Sequence, residues 1–283
     1  MVSFAEGAPC WADVMVGDLE AGKRFYGELF GWTYGPPAPP EFHGYTEAYL
    51  DGEKVAALAA KPDGRMPTVW NIYFAAPDAA AAVRRITEAG GRLVMGPMRI
   101  GEFGTMAMAA DPGGSVFGIW QPAGDVGFGR QDEPGAYCWV ENHTREPESV
   151  DAFYEEVFGF VGAPMPDDPE ARLWSLHGEE PGVKTAVAAR VVLGEPFPVE
   201  MPPHFLLYFR VADADAAAGT ARRLGGRVHL EPRDSPYGRW AILADNQGAR
   251  FAVLAPPRNP EAASGVSPAR AKFESLGKAP AAG

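Results

Sequence analysis

Four residues in the second half of the chain carry side chains that could exchange protons with a bound molecule: Glu141, His143, Tyr208 and Arg210. Glu141 and His143 lie two residues apart in one predicted strand, and Tyr208 and Arg210 do so in another. Alternation therefore places the members of each pair on one face of a sheet. A carboxylate beside an imidazole and a phenol can act in general acid–base catalysis, and a guanidinium can hold an anionic or enolate oxygen. These four residues are the candidate catalytic group.

The same residues also have a purely structural interpretation. Glu141 and Arg210 could form an internal ion pair. Tyr208 occupies the position that Tyr73 has in the first half of the chain, as expected of a residue that the fold requires. Both interpretations are compatible with the residue pattern.

Aromatic and polar side chains share the same predicted faces and could bind a flat organic ligand, because rings supply contact area and a few polar groups fix orientation. A turn-rich loop precedes one of these strands, and such loops are frequent ligand clamps, although a structural turn explains it equally well. For Trp11 and Trp139, filling the core at the floor of the sheet is the alternative to ligand stacking. The candidate ligand-binding residues are Trp11, Asp13, Asn71, Tyr73, Trp139, Tyr237, Arg239 and Arg250.

The elements that must position these residues are repeated along the chain. Residues 10–32 and residues 138–160 each begin with Cys-Trp and predict a strand, an amphipathic helix containing Phe-Tyr, and a glycine stop. Residues 69–120 and 204–254 both predict a strand, a helix that ends at Gly-Gly, and a hairpin whose turn begins with aspartate. A strand, a helix and further strands therefore recur four times, which predicts a duplicated fold.

The composition limits the classes of partner. The chain has 283 residues and a formal net charge of −12, which disfavours binding to nucleic acids or anionic membranes. No apolar run approaches the roughly 20 residues of a membrane span, and the N-terminus lacks a signal pattern, so we expect a cytoplasmic protein. The two cysteines, Cys10 and Cys138, occupy equivalent positions; free thiols are expected, and a disulfide or redox pair is the alternative.

Several of these features together resemble the vicinal oxygen chelate superfamily, which includes glyoxalase I, bleomycin-resistance proteins and extradiol dioxygenases. They are the strands ending at Asp18 and Glu146, the Phe-Tyr…Phe-Gly helices, the Gly-Gly stops and the Asp111–Gly114 turn. The Pro236–Arg239 sequence and the paired Cys-Trp starts are similar to tandem actinobacterial members. The resemblance implies an α+β fold of two tandem domains, each a pair of βαβββ modules that form a cup-shaped sheet.

On this basis we expect the first domain at residues 1–122, a linker at 123–134 and the second domain at 135–256. Residues 257–283 are rich in Pro, Ala and Ser and are expected to be a disordered tail, with a short docked helix as the alternative.

In enzymes of this superfamily the cup holds a divalent metal, and the resemblance implies where its ligands would lie. The positions are seven residues before each helix-capping acid and seven residues after each hairpin aspartate. None of them carries a histidine or a carboxylate, and a single amide is a poor anchor for a divalent ion. We therefore predict no metal and no other cofactor. The six positions are Trp11, Asn71 and Gly118 in the first domain and Trp139, Leu206 and Ala252 in the second.

The function expected from the sequence is metal-free binding of a small organic molecule. The protein would sequester or tailor an aromatic secondary metabolite. One alternative is a metal-independent hydroxylase, lyase or isomerase that uses the Glu141, His143, Tyr208 and Arg210 group. Another is an interaction protein whose cups are filled by its own side chains. The expected partner is a small molecule, and a homodimer is compatible with the sequence.

Overall fold

The computed structural model describes residues 4–124, 127–166, 168–194 and 197–257. The tail predicted at residues 257–283 therefore lies almost wholly outside the described residues. The first half of the chain contains β1 (Pro9–Val16), α1 (Leu19–Phe30), β2 (Thr33–Tyr34), β3 (Thr46–Leu50), β4 (Glu53–Ala60), β5 (Trp70–Ala75), α2 (Ala79–Glu88), β6 (Arg92–Ile100), β7 (Gly104–Ala110) and β8 (Val116–Pro122). The second half contains β9 (Tyr137–Thr144), α3 (Pro147–Phe158), β10 (Val161–Met165), β11 (Asp168–Ser175), β12 (Ala186–Val192), β13 (His204–Arg210), α4 (Ala214–Arg223), β14 (Arg227–Ser235), β15 (Gly238–Ala244) and β16 (Arg250–Ala255).

Each half forms one eight-stranded mixed sheet built from two βαβββ modules. The strand order is β2-β3-β4-β1-β5-β8-β7-β6 in the first sheet and β10-β11-β12-β9-β13-β16-β15-β14 in the second. In each sheet the two modules meet where their first strands pair antiparallel, β1 with β5 and β9 with β13. The predicted α+β fold of tandem module pairs is confirmed. No helix among the described residues is long and apolar enough to cross a membrane.

The helix starts follow local capping chemistry, with one correction to the sequence expectation. Asp18, Asp78 and Asp213 each accept a backbone hydrogen bond from the first turn of the following helix. Glu146 was expected to cap α3 in the same way, but its side chain makes no such bond. Pro147 occupies the first turn of α3 instead, where its missing N–H is not needed.

The helices of both halves lie in one shared hydrophobic core. Ala12 and Val14, on one face of β1, are fully buried in it. Phe30 of α1 packs on Phe209 of β13, with ring centroids 5.0 Å apart, and on Phe251 of β16 at 5.8 Å. Because alternate residues of a strand point to opposite faces, Asp13 of β1 and Glu141 and His143 of β9 lie on the other face, whereas Trp11 belongs to the core cluster.

Two reciprocal hydrogen bonds join the halves inside this core. Tyr26 of α1 donates its hydroxyl to Asp245 Oδ2 at 2.9 Å, and Tyr154 of α3 donates to Asp111 Oδ2 at 3.2 Å. Each aspartate begins the last hairpin turn of one half, and each tyrosine comes from the first helix of the other. The halves are therefore tied together by buried polar contacts as well as by aromatic packing.

These aspartates predict how stability depends on pH. Burial raises the pKa of Asp111 and Asp245 above the ordinary 3.8, and hydrogen bonds to each carboxylate only partly oppose it. The folded state thus holds these protons more tightly than the unfolded state, so their contribution is largest below pH 3.8 and is lost as the pH rises through the folded pKa. We expect Asp245→Asn to flatten the fall of unfolding free energy between pH 4 and pH 7, measured by urea denaturation. An unchanged slope would refute this assignment.

Candidate functional site

The second sheet positions its candidate residues through the register of β9 and β13. Trp139 lies opposite Tyr208, and Glu141 lies opposite Leu206. Between Tyr137 and Trp139 the register shifts by one residue, so Cys138 is an extra residue in β9. This bulge lets Cys138 and Trp139 both line the concave face of the sheet, which we call the second cup.

A cavity of about 170 Å³ lies in the second cup. Trp139 and Tyr208 contribute aromatic surface to it, and Val183, which is 46% exposed, marks its rim. Most of the wall is apolar, and Tyr208, Arg210 and Tyr237 are the lining residues with polar groups. The lining residues are Cys138, Trp139, Met165, Leu173, Val183, Tyr208, Arg210, Tyr237 and Leu254.

Behind this cavity three of the four candidate catalytic residues form a buried polar cluster. The Tyr208 hydroxyl donates to Glu141 Oε2 at 2.8 Å, and His143 Nε2 lies 3.1 Å from the same oxygen. Glu141 and Tyr208 are fully buried and His143 is 2% exposed. Burial, followed by the nearby Glu141 carboxylate, raises the pKa of Tyr208 well above its usual range, so its phenol stays protonated at neutral pH. Tyr208 links the cluster to the cavity.

Arg210 is the exception in that group. Its guanidinium forms an ion pair with Asp132, which lies between the two sheets in the chain, and its Nε is 3.1 Å from Asp132 Oδ1. The internal Glu141–Arg210 ion pair considered from the sequence is therefore wrong, because Arg210 pairs with Asp132 instead. It remains placed to face a negatively charged ligand group.

The remaining candidate residues of the second half separate into two groups. Tyr237 lines the cavity, as the clamp interpretation of its loop requires. Arg239 instead forms two hydrogen bonds with Asp215 near the start of α4, at 2.6 and 2.8 Å, and is absent from the cavity wall. Arg250 is solvent-exposed at the beginning of β16. The sequence pattern alone could not distinguish these three positions.

Both cysteines are free thiols, as expected from the sequence. Burial raises the pKa of Cys138 to about 12, an effect that Arg210 only partly opposes. A thiol with such a pKa is protonated at neutral pH and is a poor nucleophile. Cys138 therefore acts as a wall of the cavity.

The concave face of the first sheet, the first cup, has a different floor. Asp13 is 4% exposed and accepts hydrogen bonds from Asn71 at 2.8 Å, Tyr73 at 2.9 Å and Tyr45 at 3.3 Å. Trp11 donates its indole N–H to the Tyr45 hydroxyl at 2.7 Å. Burial raises the pKa of Asp13, and the three hydrogen bonds lower it again in part. The four candidate residues of this half thus join one internal network, which Tyr45 completes.

Sequence reasoning missed Tyr45 and several residues of the second cup. Tyr45 directly precedes β3, so only the folded position of that strand brings it to Asp13. Trp240 is fully buried and stands 6.4 Å from Tyr208 between ring centroids. Its alternation with Ile242 in β15 is the signal that could have placed it on the cup face. Leu173 and Met165 belong to β11 and β10, which the sequence analysis did not assign.

The six positions at which the family resemblance implies metal ligands carry no histidine or carboxylate in either cup. Leu206 and Ala252 lie in an apolar cluster with Trp240. At Gly118 the Tyr73 ring is so close that an added Cβ would lie 2.1 Å from it. Across residues 4–124, 127–166, 168–194 and 197–257, no group of three or more His, Cys, Asp or Glu is arranged to hold a metal ion. The side chains described do not fit the divalent metal that the fold implies.

Comparison with known proteins decides the family. Residues 10–119 match the profile of the Glyoxalase/Bleomycin resistance protein/Dioxygenase superfamily, and residues 139–254 match that of the Glyoxalase-like domain. CFP32 of Mycobacterium tuberculosis, named as a glyoxylase, is 38% identical over 260 residues, covering 89% of this chain and 96% of that protein. The chain belongs to the glyoxalase/bleomycin resistance/dioxygenase superfamily.

Two further relatives within this superfamily come from Streptomyces. The anthracycline biosynthesis protein DauV of Streptomyces sp. (strain C5) is 37% identical over 272 residues, covering 90% of this chain and 95% of DauV. The anthracycline biosynthesis protein DnrV of Streptomyces peucetius is 37% identical over 286 residues, covering 94% of this chain and all of DnrV. The likeness therefore spans both sheets.

Solved structures of the superfamily share the fold at low sequence identity. The Mn(II)-bound glyoxalase from Novosphingobium aromaticivorans superposes with a TM-score of 0.60 at 15% identity, covering 90% of this chain and 86% of that one. The 2,3-dioxygenase LapB from Pseudomonas sp. KL28 also gives 0.60, at 16% identity, covering 91% and 96%. At these identities the likeness concerns the fold alone.

Proposed function

We propose that the second cup binds a flat, largely apolar organic molecule of the polycyclic aromatic type, without a metal. The observation that carries this proposal is the cavity over Trp139 and Tyr208. Its aromatic and aliphatic walls offer contact area, while Arg210 and Tyr237 can orient an oxygen substituent. The expected ligand is an aromatic ring system bearing hydroxyl or carbonyl groups.

The size of the cavity limits how the ligand sits. At about 170 Å³ it is smaller than the roughly 300–1,000 Å³ of typical ligand sites. A molecule of three fused rings would therefore place one end against Trp139 and project the other past the rim at Val183. The outer end of the ligand would then remain accessible to solvent or to another protein.

The relatives support the same class of ligand. DauV and DnrV are named for anthracycline biosynthesis, which concerns fused aromatic rings with oxygen substituents. The first cup, whose floor is closed by the Asp13 network, is the less suitable of the two. The cavity also weighs against the alternative in which both cups are filled.

A titration tests this proposal. 2-Methoxyanthraquinone, a flat three-ring probe without an ionisable group, should quench tryptophan fluorescence and saturate at one equivalent. Protein treated with a chelator, and shown by elemental analysis to lack stoichiometric metal, should bind it with unchanged affinity. Absence of saturation, or binding that requires added divalent metal, would contradict the proposal.

A further inference from the structure

We propose that Tyr208, supported by Glu141 and His143, accepts the proton of an acidic hydroxyl group on the ligand, so that the second cup holds a phenolic or enolic ligand as its oxyanion. This inference rests on the ligand binding proposed above. The inference adds a proton-transfer step that only a ligand with a hydroxyl group can undergo.

The first observation is the position of Tyr208 between the cavity and a buried carboxylate. Tyr208 lines the cavity, and its hydroxyl donates to Glu141 Oε2 at 2.8 Å. Glu141 itself is fully buried and does not line the cavity. A proton leaving the ligand can therefore reach Glu141 through the phenol, while the carboxylate never contacts the ligand.

The second observation is the imidazole on the other side of the carboxylate. His143 Nε2 lies 3.1 Å from Glu141 Oε2, so the tautomer protonated at Nε2 donates to the same oxygen as Tyr208. The His143 ring also stacks on His204, with centroids 5.0 Å apart and planes 25° apart. His204 is partly exposed and its Nδ1 lies 2.9 Å from the Pro202 carbonyl oxygen. In that tautomer, two hydrogen-bond donors meet the same carboxylate oxygen of Glu141.

The first cup offers a natural comparison, because the same strand positions carry different side chains. Asp13 stands at the position of Glu141 and Tyr73 at that of Tyr208, but Met15 replaces His143 and Asn71 replaces Leu206. Asp13 is surrounded by an amide and two phenols, which suit a structural hub. Of the two sets of equivalent strand positions, only that of the second cup carries a carboxylate–imidazole pair.

The proposed step moves one proton and changes no oxidation state. The ligand O–H bond breaks and its proton joins the Tyr208 oxygen, while the proton of Tyr208 passes to Glu141 Oε2. The negative charge thus leaves a fully buried carboxylate and arrives on a ligand oxygen. Tyr208 then donates a hydrogen bond to that oxygen, and Arg210, in the cavity wall beside Asp132, faces the developing charge.

The charged and titratable groups of the cluster and of the cavity wall come from several elements. Glu141, His143 and Cys138 come from β9, Tyr208, Arg210 and His204 from β13, Tyr237 from the β14–β15 turn, and Asp132 from the segment between the sheets. Glu141 is the group that changes protonation in the proposed step. The test therefore follows the ligand's own hydroxyl and compares variants of Glu141.

Absorbance titration of 2-hydroxyanthraquinone, whose hydroxyl changes colour on ionisation, measures the effect. We expect the bound probe to ionise at a pH at least one unit below that of the free probe, a tenfold or greater rise in its ionisation constant. At a pH below the ionisation of the free probe, the wild-type protein should form this ionised complex without releasing a proton to the buffer, because Glu141 takes the proton up. Glu141→Gln cannot take up a proton, so ionisation of its bound probe must release one, which calorimetry in buffers of different ionisation enthalpy measures. Asp13→Asn, the matched change in the first cup, should leave the shift intact.

The outcomes separate the two proposals. If neither anthraquinone binds, the proposed function fails. If both bind but the hydroxyl of the wild-type complex ionises at its free pH, the proton-transfer inference fails and binding stands. If the wild-type protein releases a full proton to the buffer when the ionised complex forms, the assignment to Glu141 is wrong. The wild-type measurement decides the inference even where a variant does not fold.

Discussion

Asp245→Ala is expected to lower the free energy of unfolding by about 3 kcal/mol. The Asp245 carboxylate accepts backbone hydrogen bonds from Gln247 and Ala249, both at 2.8 Å, and the hydroxyl bond from Tyr26 at 2.9 Å. Alanine removes the brace of the hairpin turn and leaves the Tyr26 hydroxyl buried without its acceptor. Because burial also disfavours the ionised carboxylate, the expected loss is smaller than the sum of three charge-assisted bonds.

Urea denaturation at pH 7 measures this effect. Tyr26→Phe keeps the turn but removes the bond to Asp245 and the acceptor of the Trp70 indole N–H, so it should cost about 1–2 kcal/mol. Asp63→Ala, at an exposed loop position where the carboxylate contacts only Arg65, should leave the denaturation midpoint unchanged. A change below about 1 kcal/mol for Asp245→Ala would show that the Tyr26–Asp245 contact does little to join the halves.

Trp139→Ala is expected to weaken binding of 2-methoxyanthraquinone by more than about 1 kcal/mol, which is at least fivefold in the dissociation constant. Trp139 lines the cavity and packs against two apolar clusters of the second cup, so its indole offers aromatic surface to a flat ligand. Alanine at this position also widens the cavity, so the bound probe makes fewer contacts with its wall.

The matched control lies in the first cup. Trp120 is partly buried on β8, at the position that Leu254 holds in β16. Trp120→Ala should change affinity for the probe by less than twofold when binding is followed by isothermal calorimetry. Equal losses in the two variants would contradict a site confined to the second cup, and a loss only in Trp120→Ala would place the site in the first cup.

Repetition in the sequence predicted a duplicated fold, and the family resemblance implied the βαβββ modules. The paired Cys-Trp starts, the matched Gly-Gly stops and the hairpin aspartates marked four equivalent modules, and strand alternation correctly placed Glu141, His143 and Tyr208 on one face. The partner of each hairpin aspartate could not be predicted, because Asp245 meets a tyrosine 219 residues away in the chain. That contact depends on how the halves pack, which periodicity does not encode.

Charge pairing was equally beyond the sequence. Arg210 has several carboxylates within plausible reach, and only the folded segment between the sheets brings Asp132 to it. Arg239 was placed by its Pro-Tyr-Gly-Arg motif in a clamp, yet Asp215 at the start of α4 holds it. Long side chains at strand ends can turn toward several neighbours, so alternation fixes their face without fixing their partner.

The central claim is that the second cup is a metal-free site for a flat aromatic ligand. A crystal structure of the chelator-treated protein with 2-methoxyanthraquinone tests it most directly. The account predicts the ring system against Trp139 and Tyr208, with its outer end past Val183 and no cation in either cup. Ligand density confined to the first cup, or a cation held by three or more protein donors beside the ligand, would contradict it.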